Sequence, residues 1–111
     1  MTPLGRPPRT LLIRAVGPGL APFGVSGTLS DPVLTVQTRI GGEDRVVSQN
    51  DDWAGDSVLT SVIARTGAFH LETQSKDAAI LATLAPGSYT AKVAGANGTR
   101  GVALIELYEV Q

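Results

Sequence analysis

Apolar and polar positions alternate along this chain over short stretches, and glycine and proline separate the stretches from one another. The longest pattern covers residues 86–110. Pro86, Gly87 and Ser88 make a turn, and residues 89–94 alternate like a strand with one wet face. The connection over residues 96–101 carries Asn97-Gly98, which supplies the positive φ angles that tight hairpin turns require. Residues 102–110 follow as a long second strand, so the spacing predicts a β-hairpin. Val102, Leu104 and Tyr108 share one face of that strand, and Ala103, Ile105 and Leu107 share the other. A strand apolar on both faces is expected in the middle of a packed sheet.

The rest of the chain reads as layers around this unit. Residues 10–16 form a short apolar run closed by Gly17-Pro18, the mark of a buried strand. Residues 33–38 make a further strand, Gly41-Gly42-Glu43-Asp44 a hairpin turn, and residues 45–49 the returning strand. Asp56 or Ser57 caps a short helix over 57–65, with Val58, Leu59, Val62 and Ile63 on one face and Gly67 as its left-handed end. Residues 68–71 are a short strand or an extended link, and residues 78–84 are strongly apolar and strand-like. The long connection over 17–32 carries Leu20, Phe23, Val25 and Leu29 as anchors for packing over one end of the fold. Six or seven strands with a single helix predict an all-β, antiparallel β-sandwich, jelly-roll-like in layout.

Composition narrows the class. The 111 residues suit one domain, a proline-rich segment over 1–9 followed by a sandwich over 10–111, and 42% hydrophobic content supports a real core. A net charge of −1 offers nothing to attract nucleic acid. The absence of cysteine excludes disulfides, thiolate metal sites and cysteine nucleophiles. Apolar runs are too short for membrane insertion, and residues 1–9 are basic without a following apolar core, so they do not read as a secretory signal.

Candidate chemistry concentrates in residues 50–56. Asn50, Asp51, Asp52 and Asp56 are candidate ligands for Ca²⁺, a hard cation that takes several oxygens from closely spaced carboxylates and carbonyls. The spacing is not that of an EF-hand loop, and the same residues also suit Asx turns and a helix cap. Trp53 is the lone tryptophan, either a stacking surface for a sugar or an anchor pinning the acidic loop to the sandwich; Tyr89 is the second candidate for sugar contact. Arg14, inside an apolar strand, either reaches the sheet edge with its head in water or pairs with a carboxylate, Glu106 or Asp52. His70 is the one histidine, and no Gly-x-Ser-x-Gly elbow accompanies it, which argues against a hydrolase. One histidine is also too few for zinc. Asn97-Gly98-Thr99 matches a glycosylation sequon and is better explained as turn chemistry.

One ordered series of short motifs carries a resemblance. Residues 12–18 (Leu-Ile-Arg-Ala-Val-Gly-Pro), 23–27 (Phe-Gly-Val-Ser-Gly), Asp31-Pro32 and 50–53 (Asn-Asp-Asp-Trp) open it. Gly67-Ala68-Phe69, residues 76–79 (Lys-Asp-Ala-Ala), 85–90 (Ala-Pro-Gly-Ser-Tyr-Thr) and 101–106 (Gly-Val-Ala-Leu-Ile-Glu) complete it. Over roughly residues 10 to 110 the series resembles an uncharacterised β-sandwich module of bacterial secreted and cell-surface proteins. Its second half is more loosely similar to pre-peptidase C-terminal accessory domains. The resemblance implies an exported, non-catalytic accessory domain and brings no ligand with it. Members of that family usually carry a further apolar strand just before the position of Arg9, where this chain has prolines that pair poorly in a sheet. The expectation is an open sheet edge, with the 10–16 strand among those a neighbouring chain completes.

Together these readings predict a structural or interaction module that mediates self-assembly, as a homo-oligomer or with neighbouring chains, or adhesion at a cell surface. The alternative is a carbohydrate-binding accessory module. Bound Ca²⁺ would stabilise either one.

Overall fold

The computed structural model of the chain describes residues 7–110. Two antiparallel three-stranded sheets pack together, with one short helix against the outer face of the first. The strands are β1 (Arg9–Val16), β2 (Pro32–Ile40), β3 (Glu43–Asn50), β4 (Ala78–Leu84), β5 (Tyr89–Gly95) and β6 (Leu104–Val110), and the helix is α1 (Ser57–Thr66). One sheet has the order β4-β1-β6 and the other β3-β2-β5. The fold is a β-sandwich, as the alternation of apolar positions predicts.

β1 is the centre of the first sheet. It pairs with β4 on one side, Ile13 opposite Ile80, and with β6 on the other, Ile13 opposite Leu107. Its alternate residues serve two separate cores. Ile13 and Ala15 face the second sheet and pack with Leu34, Val36, Ala78 and Ile80. Leu12 and Val16 face the helix side and pack with Trp53, Leu59, Val62, Ile63 and Leu71. This is why residues 10–16 read as a continuous apolar run: a central strand between two layers has no wet face. The same fact corrects the expectation that this strand is an open edge.

The β2–β3 hairpin forms around Gly41 and Gly42, both at positive φ (60° and 83°), with Ile40 opposite Glu43. Two consecutive left-handed residues match the twist of the flanking strands, and glycine adopts them without steric cost. A register shift between Val36 and Gln37 leaves Val47 as the extra residue of a bulge. Helix α1 starts where Asp56 accepts the Leu59 amide at 3.0 Å and ends at Gly67, φ 79°. Leu59, Val62 and Ile63 are buried, whereas Val58 turns to solvent, contrary to its expected place on the apolar face.

The other correction concerns residues 86–110. They form two strands but not a hairpin: β5 pairs with β2, Val93 opposite Leu34, and β6 pairs with β1 in the other sheet. The connection holds the positive φ angles foreseen at Asn97 (55°) and Gly98 (73°), but it spends them in a short 3-10 turn at Ala96–Gly98. The Ala96 amide donates to the Asp31 carbonyl, and Val102 then bonds the 27–29 segment through two backbone hydrogen bonds. The chain crosses between sheets at that point. β6 is consequently an edge strand, not the mid-sheet strand its two apolar faces suggested.

The long connection over 17–32 packs partly as expected. Leu20 and Leu29 are buried, while Phe23 stays largely exposed with its ring edge against Phe69 at 4.9 Å between centroids.

Candidate functional site

The four residues singled out as calcium ligands separate in the structure. Asn50 uses its carboxamide oxygen to accept the Ala79 amide at 3.1 Å and its nitrogen to donate to the Asp52 carbonyl at 3.2 Å. Asp56 is the cap of α1. Asp51 and Asp52 remain, and Asp31, from the connection ahead of β2, joins them: the three carboxylates have oxygens within 4.8 Å of one another. Asp51 is held above the usual carboxylate range, first by a hydrogen bond with the Asp31 carboxyl, then by burial and by the charges of Asp31 and Asp52. Lys76, 3.9 Å from Asp31, opposes that shift. Three crowded carboxylates favour any added positive charge, and the nearby lysine supplies one. Nothing in the spacing of Asp31 links it to residues 51 and 52, and only folding brings it beside them.

Trp53 is an anchor. Its side chain is 2% exposed, and its indole nitrogen donates to the Glu72 carbonyl at 2.9 Å. Neither ring face is free to stack on a sugar. Tyr89 is half-buried and donates its hydroxyl to the Ala85 carbonyl. It lines a cleft of about 270 Å³ with Pro7, Arg9, Leu11, Leu84 and Pro86. His70 is exposed in the link between α1 and β4.

Arg14 is fully buried and does not reach the sheet edge. Its Nη1 donates to the Phe69 carbonyl at 2.7 Å, its guanidinium lies 4.4 Å from the centre of the Phe69 ring, and Nη2 stands 2.9 Å from Glu106 Oε1. That last contact is an ion pair without the alignment of a hydrogen bond, and Arg14 Nε is left without an acceptor among the described residues. The other oxygen of Glu106 accepts the Tyr108 hydroxyl at 2.7 Å, which raises the tyrosine pKa above its ordinary value. Of the two candidate partners for Arg14, Glu106 is the one beside it, brought there by direct register between β1 and β6. The charge cluster thus bridges β1 and β6 at directly opposite positions.

β6 itself has the most unusual surface. The second sheet sits over β1 and β4, with β2 against both and β3 against β4, so β6 lies outside the overlap. Ile105 and Leu107, register partners of Ala15 and Ile13, point to the side of the second sheet yet are 39% and 58% exposed. Leu104 on the helix side is 41% exposed. Among the described residues, nothing pairs with the outer backbone edge of β6.

The other three edges are guarded, each differently. β3 carries its bulge together with Glu43, Asp44 and Arg45, all exposed. β5 presents Lys92 to solvent. β4 has its Ala79 amide taken by the Asn50 side chain and its entry covered where the Trp53 amide bonds the Asp77 carbonyl. Charges, bulges and covering segments are the usual means by which proteins blunt free edges. β6 has no lysine, proline or bulge; its two charges are Glu106, turned in to Arg14, and Glu109, paired with Arg9, and exposed apolar residues stand on both of its faces.

Comparison with protein-family models, with curated proteins and with solved structures finds no match to this chain.

Proposed function

We propose that this domain is a non-catalytic interaction module of a bacterial exported or cell-surface protein, and that it mediates assembly by accepting a strand along β6. The observation that carries the reading is the contrast between edges: β3, β4 and β5 are blunted, while β6 offers an open backbone flanked by Leu104, Ile105 and Leu107. An added strand satisfies the outward amides and carbonyls of β6, and its side chains cover those three residues. Strand addition draws affinity from main-chain hydrogen bonds and selectivity from the side chains that alternate on the two faces. Export and surface location follow from the family resemblance of the motif series, and the absence of cysteine is compatible with either side of a membrane. The carbohydrate alternative has less support, since Trp53 is sealed in the core and the Tyr89 hydroxyl is already engaged.

Sedimentation velocity across protein concentration tests the reading. Wild-type protein is expected to sediment above the mass of one 11.5 kDa chain as concentration rises. Leu107→Lys, at an exposed position, is expected to return it to a monomer with its thermal midpoint retained. A wild-type chain that stays monomeric throughout overturns the assembly reading, as does an oligomer that Leu107→Lys leaves intact.

A further inference from the structure

The partner strand belongs to a second copy of this chain: we infer that β6 pairs with β6 of another molecule, antiparallel, about a two-fold axis through Leu107. The inference rests on the strand-addition reading and adds the occupant and the register. It follows from the order of side chains along β6: Leu104, Ile105, Glu106, Leu107, Tyr108, Glu109, Val110.

Two copies of a strand side by side in one antiparallel sheet are related by a two-fold axis perpendicular to the sheet. That axis keeps each side chain on its own face, so it passes through one residue, which meets itself, and the other residues pair symmetrically about it. Three placements are open near the middle of β6. An axis at Glu106 sets two glutamates directly opposite each other, and like charges opposite one another across strands are destabilising. An axis at Tyr108 leaves Leu104 and Ile105 without partners on β6.

An axis at Leu107 avoids both faults. All residues of the strand are paired, Leu107 meets Leu107, and Leu104 meets Val110. Glu109 lies opposite Ile105, at the rim, where it keeps its contact with Arg9 of its own chain at 3.7 Å. Glu106 lies opposite Tyr108, a side chain whose hydroxyl already serves as its donor within one chain. No like charges face each other. The most exposed large apolar residue of β6 becomes the one at the centre of the contact.

The product is a continuous sheet of the order β4-β1-β6-β6-β1-β4, in which neither β6 edge remains free. It is a closed, isologous contact, so assembly through it stops at the dimer.

Cysteine cross-linking reads the register directly, because the chain has no cysteine of its own. Paired residues in an antiparallel sheet have Cα atoms about 4.5–5.5 Å apart, within the span a disulfide bridges. Leu107→Cys is expected to give a disulfide-linked dimer as the major product under mild oxidation. Ile105→Cys is expected to cross-link poorly with itself, since the two copies are displaced by about 13 Å along the strands. A mixture of Ile105→Cys and Glu109→Cys is expected to give the mixed dimer. All three positions are exposed, so folding of each variant is checked against the wild-type thermal midpoint.

Cross-linking of Ile105→Cys with itself in preference to Leu107→Cys overturns the register. A wild-type oligomer in which Leu107→Cys fails to cross-link overturns the β6–β6 dimer while leaving strand addition by a different segment standing. A wild-type monomer removes both readings together.

Discussion

The carboxylate of Asp77 accepts the Gly17 amide at 2.8 Å, joining the end of β1 to the start of β4 across 60 positions of sequence. The same oxygen accepts the Gly19 amide at 3.1 Å, and the other accepts the Ser75 hydroxyl at 2.7 Å. Asp77 is fully buried, and three donors replace the water it has lost. Both glycines are closely enclosed: a Cβ at Gly17 overlaps the Leu29 carbonyl, and one at Gly19 comes within 2.9 Å of Asp77 Oδ2.

Removing that acceptor strands two backbone amides. Asp77→Ala is expected to destabilise the domain by about 2–6 kcal/mol, from a cost of about 1–3 kcal/mol for each buried donor left unpaired. Asp77→Asn keeps one acceptor oxygen and is expected to cost less. Urea unfolding of the two variants checks the order, and equal losses contradict the account.

Arg14 and Glu106 form the second buried connection, between β1 and β6. Arg14→Met leaves Glu106 facing the core without its cation, and breaking a buried pair on one side costs about 3–5 kcal/mol. The double variant Arg14→Met with Glu106→Gln is expected to recover part of the loss. A double-mutant cycle on unfolding free energies measures this, and strict additivity would show that the two side chains do not interact.

Asp51 has a folded-state pKa raised by Asp31, so its ionised form is less favoured in the fold than in the unfolded chain. The hydrogen bond its protonated form makes to Asp31 therefore contributes stability at acid pH that is lost as pH rises through the folded-state value. Asp51→Asn is expected to raise the thermal midpoint near pH 7, with the gain fading as pH falls toward the ordinary aspartate range. A midpoint that gains equally at all pH values contradicts the coupling of Asp51 to Asp31.

Tyr108 supplies the alkaline counterpart. Its pKa is raised chiefly by the hydrogen bond to Glu106, so above pH about 10 the unfolded chain loses this proton before the folded one does. Stability is expected to fall as pH rises through that range. Tyr108→Phe should flatten this alkaline limb, as read from urea midpoints at successive pH values, and an unchanged limb would remove Tyr108 as its cause.

Local features of the fold were legible because they depend on neighbours in sequence. Asp56 and Gly67 marked the ends of α1 through the needs of its unpaired amides and its left-handed exit, and Gly41-Gly42 marked the β2–β3 turn through its φ angles. Arg14 was legible as an anomaly, with Glu106 among its two candidate partners. The acidic set was only half legible. Asp51 and Asp52 stand together, but Asp31 reaches them only through folding, and Asn50 and Asp56 are engaged with partners of their own.

Sequence by itself determined which segments are strands, where the helix begins and ends, and that the domain is a sandwich, since alternation and capping are properties of adjacent residues. Tertiary structure decided which strands pair. Residues 89–94 and 102–110 have the pattern of a hairpin, yet the apolar face of β5 completes the core of β2, while β6 aligns with β1 through Glu106 and Arg14. The same two-faced apolar pattern marks β1, buried at the centre, and β6, exposed at the rim. Alternation records which residues avoid water but not what covers them, and the offset of the second sheet toward β4 is what leaves β6 open.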